Sequence, residues 1–256
     1  MKIIARILSL LLLFAAHSAT AADRIMIAAA ADLKVCMDEL VAGFKREHAD
    51  AVVEVAYGSS GNFKTQIEQG APFDLFFSAD SAYPRALHAA GLATAAPRVY
   101  AIGRIVLWSA TLDARNFALA DLIRADIQKV AIANPQHAPY GQRAEEALRA
   151  AGVWDAVQPK LVYGENIAQT AQFVQSGNAQ VGIIALSLAL NPQLAGKGGY
   201  ALIPDSLHQP LEQAFVITQH GAGNALAGQF ADYVQTPAVR ALMARYGFAL
   251  PGDAAT

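Results

Sequence analysis

The sequence predicts an α/β protein of two lobes, each a doubly wound, mainly parallel sheet with flanking helices, and a ligand cleft between the lobes. Three observations carry this. Short, almost wholly apolar runs such as Arg24–Ala29 (RIMIAA), Asp74–Phe77 (DLFF) and Val181–Ala185 (VGIIA) read as strands covered on both faces. They alternate with stretches of helical periodicity, and that rhythm calls for parallel strands joined by right-handed crossovers. The rhythm restarts after Tyr100, and long strand candidates near 100–109 and 212–218 stand where the chain would cross between lobes. The expected division is 22–103 plus 218–256 for the first lobe and 104–217 for the second.

Met1–Ala21 has the form of an export signal: Lys2 and Arg6, an apolar run Ile7–Ala16, then Ala19-Thr20-Ala21 as a cleavage site. The chain is therefore expected outside the cytoplasm, cut near Ala21. Its apolar run is too short to span a bilayer, and with no cysteine at its end no membrane anchor is expected. Cys36 is the single cysteine, so an internal disulfide is excluded. It reads as a small buried residue, with a reactive thiol as the alternative. A net charge of −2 without any Lys/Arg cluster argues against nucleic acid and anionic membranes as partners.

In chain order, strand Arg24–Ala29 leads into a helix with Leu33, Met37, Leu40, Val41 and Phe44 at helical spacing, Asp32 standing at its start. Strand Val52–Val55, helix Ser60–Gln69, strand Asp74–Phe77 and helix Ser81–Ala90 follow. After the long strand come a short helix Leu119–Arg124, strand Val130–Ala133, helix Gln142–Ala151, strand Leu161–Val162, helix Asn166–Gln175 and strand Val181–Ala185. Two amphipathic helices, Ala225–Tyr233 and Pro237–Tyr246, close the chain.

The chemistry centres on Tyr57–Asp80. A strand stops at Gly58, and Ser59, Ser60 and Gly61 open a helix, so backbone N–H groups and two hydroxyls gather at a helix N-terminus. A plain capping role for one of the serines is the simpler alternative. Tyr140/Gly141 and Asn166/Ile167 stand at equivalent strand-to-helix junctions, and in doubly wound sheets such junctions line the ligand crevice. A small oxyanion between the lobes could be held by these groups, with closure about the crossing strands excluding water. Signals for an enzyme are missing: no nucleophile elbow, P-loop or G-x-G-x-x-G occurs, and the histidines form no metal-binding pair. His137 reads as a loop histidine beside the crevice. Asp74 and Asp80 read as turn and capping residues.

At these residues the chain resembles the periplasmic molybdate-binding proteins of ABC importers. The resemblance is carried by YGSSGNFKTQIEQGAPFDLFFSAD, YAIGRIVLWSA, NPQHAPYG, ENIAQT and the terminal RYGF, with GAP-x-DLF-x-SAD the most specific run. It implies a two-lobed, type II periplasmic binding protein that carries molybdate or tungstate to a membrane permease. It further implies a monomer that is no enzyme, needs no cofactor and has no direct metal-ion ligands. The family's ligand positions correspond to Ala31 and Asp32, to Ser60 beside Ser59, to Tyr140 and to Ile167. Tyr140 and Ile167 would act through backbone N–H. Where some members add a tyrosine, this chain has Ala185.

One position departs from the family. Where a neutral donor is usual, Asp32 stands. An ionised carboxylate about 4 Å from an anion costs on the order of 4 kcal/mol per charge pair at an effective dielectric near 20, or roughly three orders of magnitude in affinity. Three outcomes stay open: Asp32 caps its own helix, it receives a proton from a ligand such as hydrogen phosphate or hydrogen arsenate, or the ligand is another species, including a metal-containing one. A sensor subunit presenting its ligand to a membrane kinase and a hydrolase using Ser60 are the rival functions.

Overall fold

The computed structural model describes residues 24–252 apart from 193, 195 and 196; the expected export segment Met1–Ala21 lies outside them. From the N-terminus run β1 (Arg24–Ala30), a single 3-10 turn (Ala31–Leu33), α1 (Lys34–Glu47), β2 (Val52–Gly58), α2 (Ser60–Glu68), β3 (Leu75–Ser78), α3 (Ala82–Ala89) and β4 (Arg98–Gly103). Next come β5 (Ile105–Ser109), β6 (Val130–Ala133), α4 (Pro139–Ala150), α5 (Trp154–Val157), β7 (Leu161–Gly164), α6 (Ile167–Gln175), β8 (Val181–Ala185), α7 (Leu186–Ala189) and β9 (Gly199–Leu202). The chain ends with β10 (Leu211–Ile217), α8 (Ala225–Tyr233) and α9 (Pro237–Arg245).

Two five-stranded sheets result, ordered β2-β1-β3-β10-β4 and β7-β6-β8-β5-β9. Both are mixed rather than mainly parallel. In the first, β1 runs parallel to β2 and β3 while β10 runs antiparallel to β3 and β4. The second repeats the scheme, with β6 parallel to β7 and β8 and β5 antiparallel to β8 and β9. The reason lies in the connections. The parallel pairs are made by βα units within a lobe, whereas β5 and β10 enter their sheets from the other lobe.

The crossings also differ from expectation. The long strand read over 100–110 is two strands broken at Arg104, whose Nε and Nη2 donate to the Gly247 carbonyl oxygen at 3.1 and 2.9 Å. Thr218 does not begin the return to the first lobe, because β10 already pairs inside the first sheet. The return crossing falls between β9 and β10. Helix α4 starts at Pro139 and not at Gln142, proline being well suited to a first helical turn where its missing N–H costs nothing. Strand β9 left no clear pattern, since it is an edge strand on which Tyr200 and Leu202 stay exposed.

Alternation along β3 divides the first lobe's core. Phe77 faces α1, α8 and α9, joining Ile25, Leu40, Phe44, Phe215 and Phe230, while Phe76 faces α2 and α3 with Phe63 and Leu87. Phe77 stacks on Phe215 at 4.9 Å between ring centroids and meets Tyr100 and Phe230 edge-on at 5.6 and 6.2 Å. The second lobe packs Ile105, Leu107, Trp108, Ile132 and Ile183 around its own sheet. Cys36 is buried in the first core with its thiol 3.5 Å from the Met243 sulfur, and burial pushes its pKa up. That disfavours the thiolate on which reactivity depends. Among the described residues no helix is long and apolar enough to cross a membrane.

Replacing Phe77 by alanine removes the ring on which three others converge. The expected loss is about 3–5 kcal/mol of unfolding free energy, read as a lowered urea midpoint. A loss below about 1 kcal/mol would show that the cluster repacks.

Candidate functional site

The carboxyl ends of β1, β2, β6 and β7 converge on a single cleft between the sheets. Ala31, Asp32, Ser59, Ser60, Tyr140 and Ile167 all line it, and it is tight, with about 10 Å³ for the centre of a water-sized molecule. Among the described residues no group of His, Cys, Asp or Glu side chains could hold a metal ion.

The donors can be sorted by asking which N–H groups the local structure consumes. At the start of α2, the Gly61 N–H donates to the His137 carbonyl at 2.9 Å and the Phe63 N–H to Ser59. The N–H groups of Ser60 and Asn62 remain, since the first N–H groups of a helix have no intrahelical acceptor, and of the two residues only Ser60 lines the cleft. At α4, Pro139 has no N–H and both Gly141 and Gln142 turn back to the Ala138 carbonyl, which leaves Tyr140. At α6, the Asn166 side chain takes the N–H groups of Ala168 and Gln169, each at 3.0 Å, and its carbonyl takes that of Thr170. Ile167 is left. One open N–H per junction thus belongs to a residue lining the same cleft. The partial positive charge of the helix starts favours an anion there.

Neither serine caps its helix through its side chain. The Ser60 Oγ accepts from the Ala79 N–H at 3.0 Å, which leaves its hydroxyl proton for an acceptor in the cleft. The Ser59 Oγ lies 2.9 Å from Nδ1 of His137 across the cleft. The Nε2 of His137 is 3.7 Å from Glu165, and Glu165 accepts from Asn62 of α2 at 2.5 Å. This closed chain of contacts joins the start of α2 to the loops before α4 and α6. A second tie, Asp80 to Arg143 at 3.2 Å, lies alongside. Gly61 permits the approach: a Cβ there would sit 2.7 Å from the His137 carbonyl oxygen, closer than side chains tolerate. His137 is thus a fastening residue, a role its place in a Pro-bounded loop did not announce. Asp74 accepts from the Met26 N–H at 2.7 Å and from the Asn224 side chain at 3.1 Å, a structural tie just before β3.

Asp32 does not cap its helix. The cap positions of the turn and of α1 are Ala30 and Leu33, not Asp32, and the carboxylate points to other elements. Its Oδ2 accepts from the Tyr140 hydroxyl of α4 at 3.0 Å and from Nε2 of Gln213 on β10 at 2.7 Å. Gln213 is held in turn by Tyr100, whose hydroxyl donates to its Oε1 at 2.7 Å. The Ser187 hydroxyl donates to the Asp32 carbonyl at 2.8 Å. The other carboxylate oxygen, Oδ1, is buried without a hydrogen-bond partner. Burial raises the pKa of Asp32 to about 6, against the opposing pull of the Gln213 and Tyr140 hydrogen bonds and smaller contributions from the backbone at Asp32 and Leu33.

Comparison with known proteins agrees in fold and length. The family model described as "Bacterial extracellular solute-binding protein" matches residues 25–249. The molybdate-binding protein ModA of Rhodobacter capsulatus is 38% identical over 231 residues, 89% of each chain. Its namesake from Azotobacter vinelandii is 35% identical over 234 residues, 91% of this chain and 92% of that one. The solved periplasmic molybdate-binding protein of Azotobacter vinelandii superposes with a TM-score of 0.82 at 31% identity, covering 89% of this chain and 99% of its own.

The raised pKa of Asp32 makes a stability prediction. Unfolded, the carboxyl titrates near 3.8; folded, it titrates near 6. Between these values the folded state binds the proton more tightly, so this group costs stability above pH 6 and the cost fades as the pH falls toward 4. Relative to Asp32→Asn, the parent should gain about 2–3 kcal/mol of unfolding free energy between about pH 7 and pH 4. Paired urea titrations measure it, and a pH-independent difference between the two proteins would refute the assignment.

Proposed function

The chain belongs to the family of bacterial extracellular solute-binding proteins, and we propose that it is the periplasmic receptor of an importer: it captures a tetrahedral oxyanion, molybdate or tungstate, and hands it to an ABC permease. The observation that carries this reading is the set of open donors. Ser60, through its hydroxyl and N–H, and the N–H groups of Tyr140 and Ile167 lie on one tight cleft and come from both lobes. Ala31 and Asp32 complete the first-lobe side. Such a site offers donors without a cation, which suits a small ligand made of acceptor oxygens. In a dry cleft, preorganised dipoles are worth far more than in water.

Two features select among oxyanions. The molybdate-binding names of two relatives, matched over 89% and 92% of their own length, favour molybdate over phosphate or arsenate. The open groups at Ser60, Tyr140 and Ile167 are donors, and a ligand without a proton of its own uses donors best. The contacts Ser59–His137–Glu165–Asn62 and Asp80–Arg143 then act as fasteners that hold the lobes together over the ligand. In this reading the protein is a carrier and catalyses nothing. It works as a monomer without a membrane anchor, and its export segment is removed near Ala21.

A thermal-shift screen of the ligand-stripped protein tests the reading. Molybdate and tungstate should raise the apparent stability by about 2.7 kcal/mol at a hundredfold excess over the dissociation constant, with little response to sulfate or phosphate. No response to any oxyanion would sink it. Ser60→Ala should weaken molybdate binding by roughly 10- to 100-fold, the worth of one hydrogen bond to a charged group. His137→Ala should instead act on release, raising the dissociation rate roughly tenfold while ligand still binds. An unchanged stopped-flow off-rate would remove His137 from the closure.

A further inference from the structure

We infer that capture of the oxyanion consumes one proton from solution and that Asp32 receives it, an inference that rests on the receptor reading above. The geometry supplies the reason. Asp32 is 1% exposed, lines the cleft, and has one carboxylate oxygen without a partner. The groups facing it offer no compensating cation. From α4 comes the Tyr140 hydroxyl, from β10 the Gln213 amide, and from β4, through Gln213, the Tyr100 hydroxyl. From α7 the Ser187 hydroxyl reaches only the backbone carbonyl. Neither α6 nor α7 carries a titratable side chain. On α1, Cys36 is kept neutral by burial, and Lys34 is exposed and sits over the Tyr57 ring. The nearby charges are already engaged, Arg143 with Asp80 and Glu146, and Glu212 with Ser81 and Arg85. Both tyrosines are held neutral, their pKa values pushed up by burial and by Asp32 itself.

Magnitudes decide between the charge states. A dianion brought about 4 Å from an ionised carboxylate loses on the order of a thousandfold or more in affinity. Protonating Asp32 first costs only about tenfold at pH 7, because the group already titrates near 6. The proton therefore wins. The step is a plain association: carboxylate, proton and dianion give a neutral carboxylic acid beside the bound dianion, the proton coming from the buffer. Protonated on Oδ1, the oxygen without a partner, the carboxyl gains a donor, while Oδ2 goes on accepting from Tyr140 and Gln213. Asp32 then plays the part of a neutral donor, but only when it holds the proton.

Isothermal titration of the exported protein with molybdate, in buffers of different ionisation enthalpy, counts the protons. The expected uptake is about 0.9 proton per molybdate at pH 7 and about half a proton at pH 6, with affinity falling toward tenfold per pH unit above about pH 7. Asp32→Asn, checked for folding by its thermal transition, should bind with no proton uptake and a flat pH profile. Molybdate binding without proton exchange in the parent overturns the inference while leaving the receptor reading intact. An unaltered pH slope in Asp32→Asn places the proton elsewhere and overturns it as well. Absence of binding by any oxyanion overturns the receptor reading and this inference with it.

Discussion

The hydrogen bond from the Tyr140 hydroxyl to Asp32 is the contact on which the arrangement of the two lobes turns. It joins the end of the first strand to the first turn of α4, and through Gln213 the same carboxylate reaches β10, the strand that returns from the second lobe. Burying that carboxylate is expensive, and what makes it tolerable is that both donors are fixed by the fold. Gln213 has Tyr100 behind it, and the Tyr140 hydroxyl lies 3.1 Å from Gln213 as well. Gly103 leaves the room, since a Cβ there would run into both the Tyr140 hydroxyl and Gln213. Any separation of the lobes that draws α4 away must break this node.

In the proposed reading, closure and recognition are built from the same parts. The helix that presents the Tyr140 N–H to the cleft is the one whose side-chain hydroxyl holds Asp32. The loop that precedes it carries His137, which fastens the lobes at the cleft's other side. An anion site of neutral donors works only when water is excluded, because N–H groups in water have no preference for the ligand over the solvent. The close backbone approach of Gly61 to His137 is part of that exclusion.

Much of this was legible in the sequence. Apolar runs and βα alternation placed most of the elements, and the serine pair and the junctions at Tyr140 and Ile167 were visible as helix starts after strands. What was not legible depended on pairing partners distant in the chain. The break at Arg104 follows from its contact with Gly247, 143 positions away, and the sheet that receives β10 is decided by β3 and β4. The direction of the Asp32 side chain depended on Tyr140 and Gln213, 108 and 181 positions away, so local rules pointed to a cap that does not form. His137 was seen but not its partners, which come from α2 and the loop before α6.

The position of the carboxylate explains how one charge can matter both at the ligand and at the crossings. Gln213 lies at the irregularity of β10, where its register against β4 shifts, and Gly103 ends β4 just before the chain leaves the first sheet at Arg104. Both strands that bound the crossings thus meet the Asp32 node directly. A change of charge on Asp32 alters the strength of its bonds to Tyr140 and Gln213, since hydrogen bonds to an ionised acceptor are roughly twice as strong as neutral ones. An ionised Asp32 makes the stronger bonds, but its burial costs more than they return, which is why its pKa is raised, and it repels an anion in the cleft. A neutral one keeps both partners through weaker bonds, escapes the desolvation cost and admits the anion. In the proposed reading the proton therefore favours the buried node and the anion together.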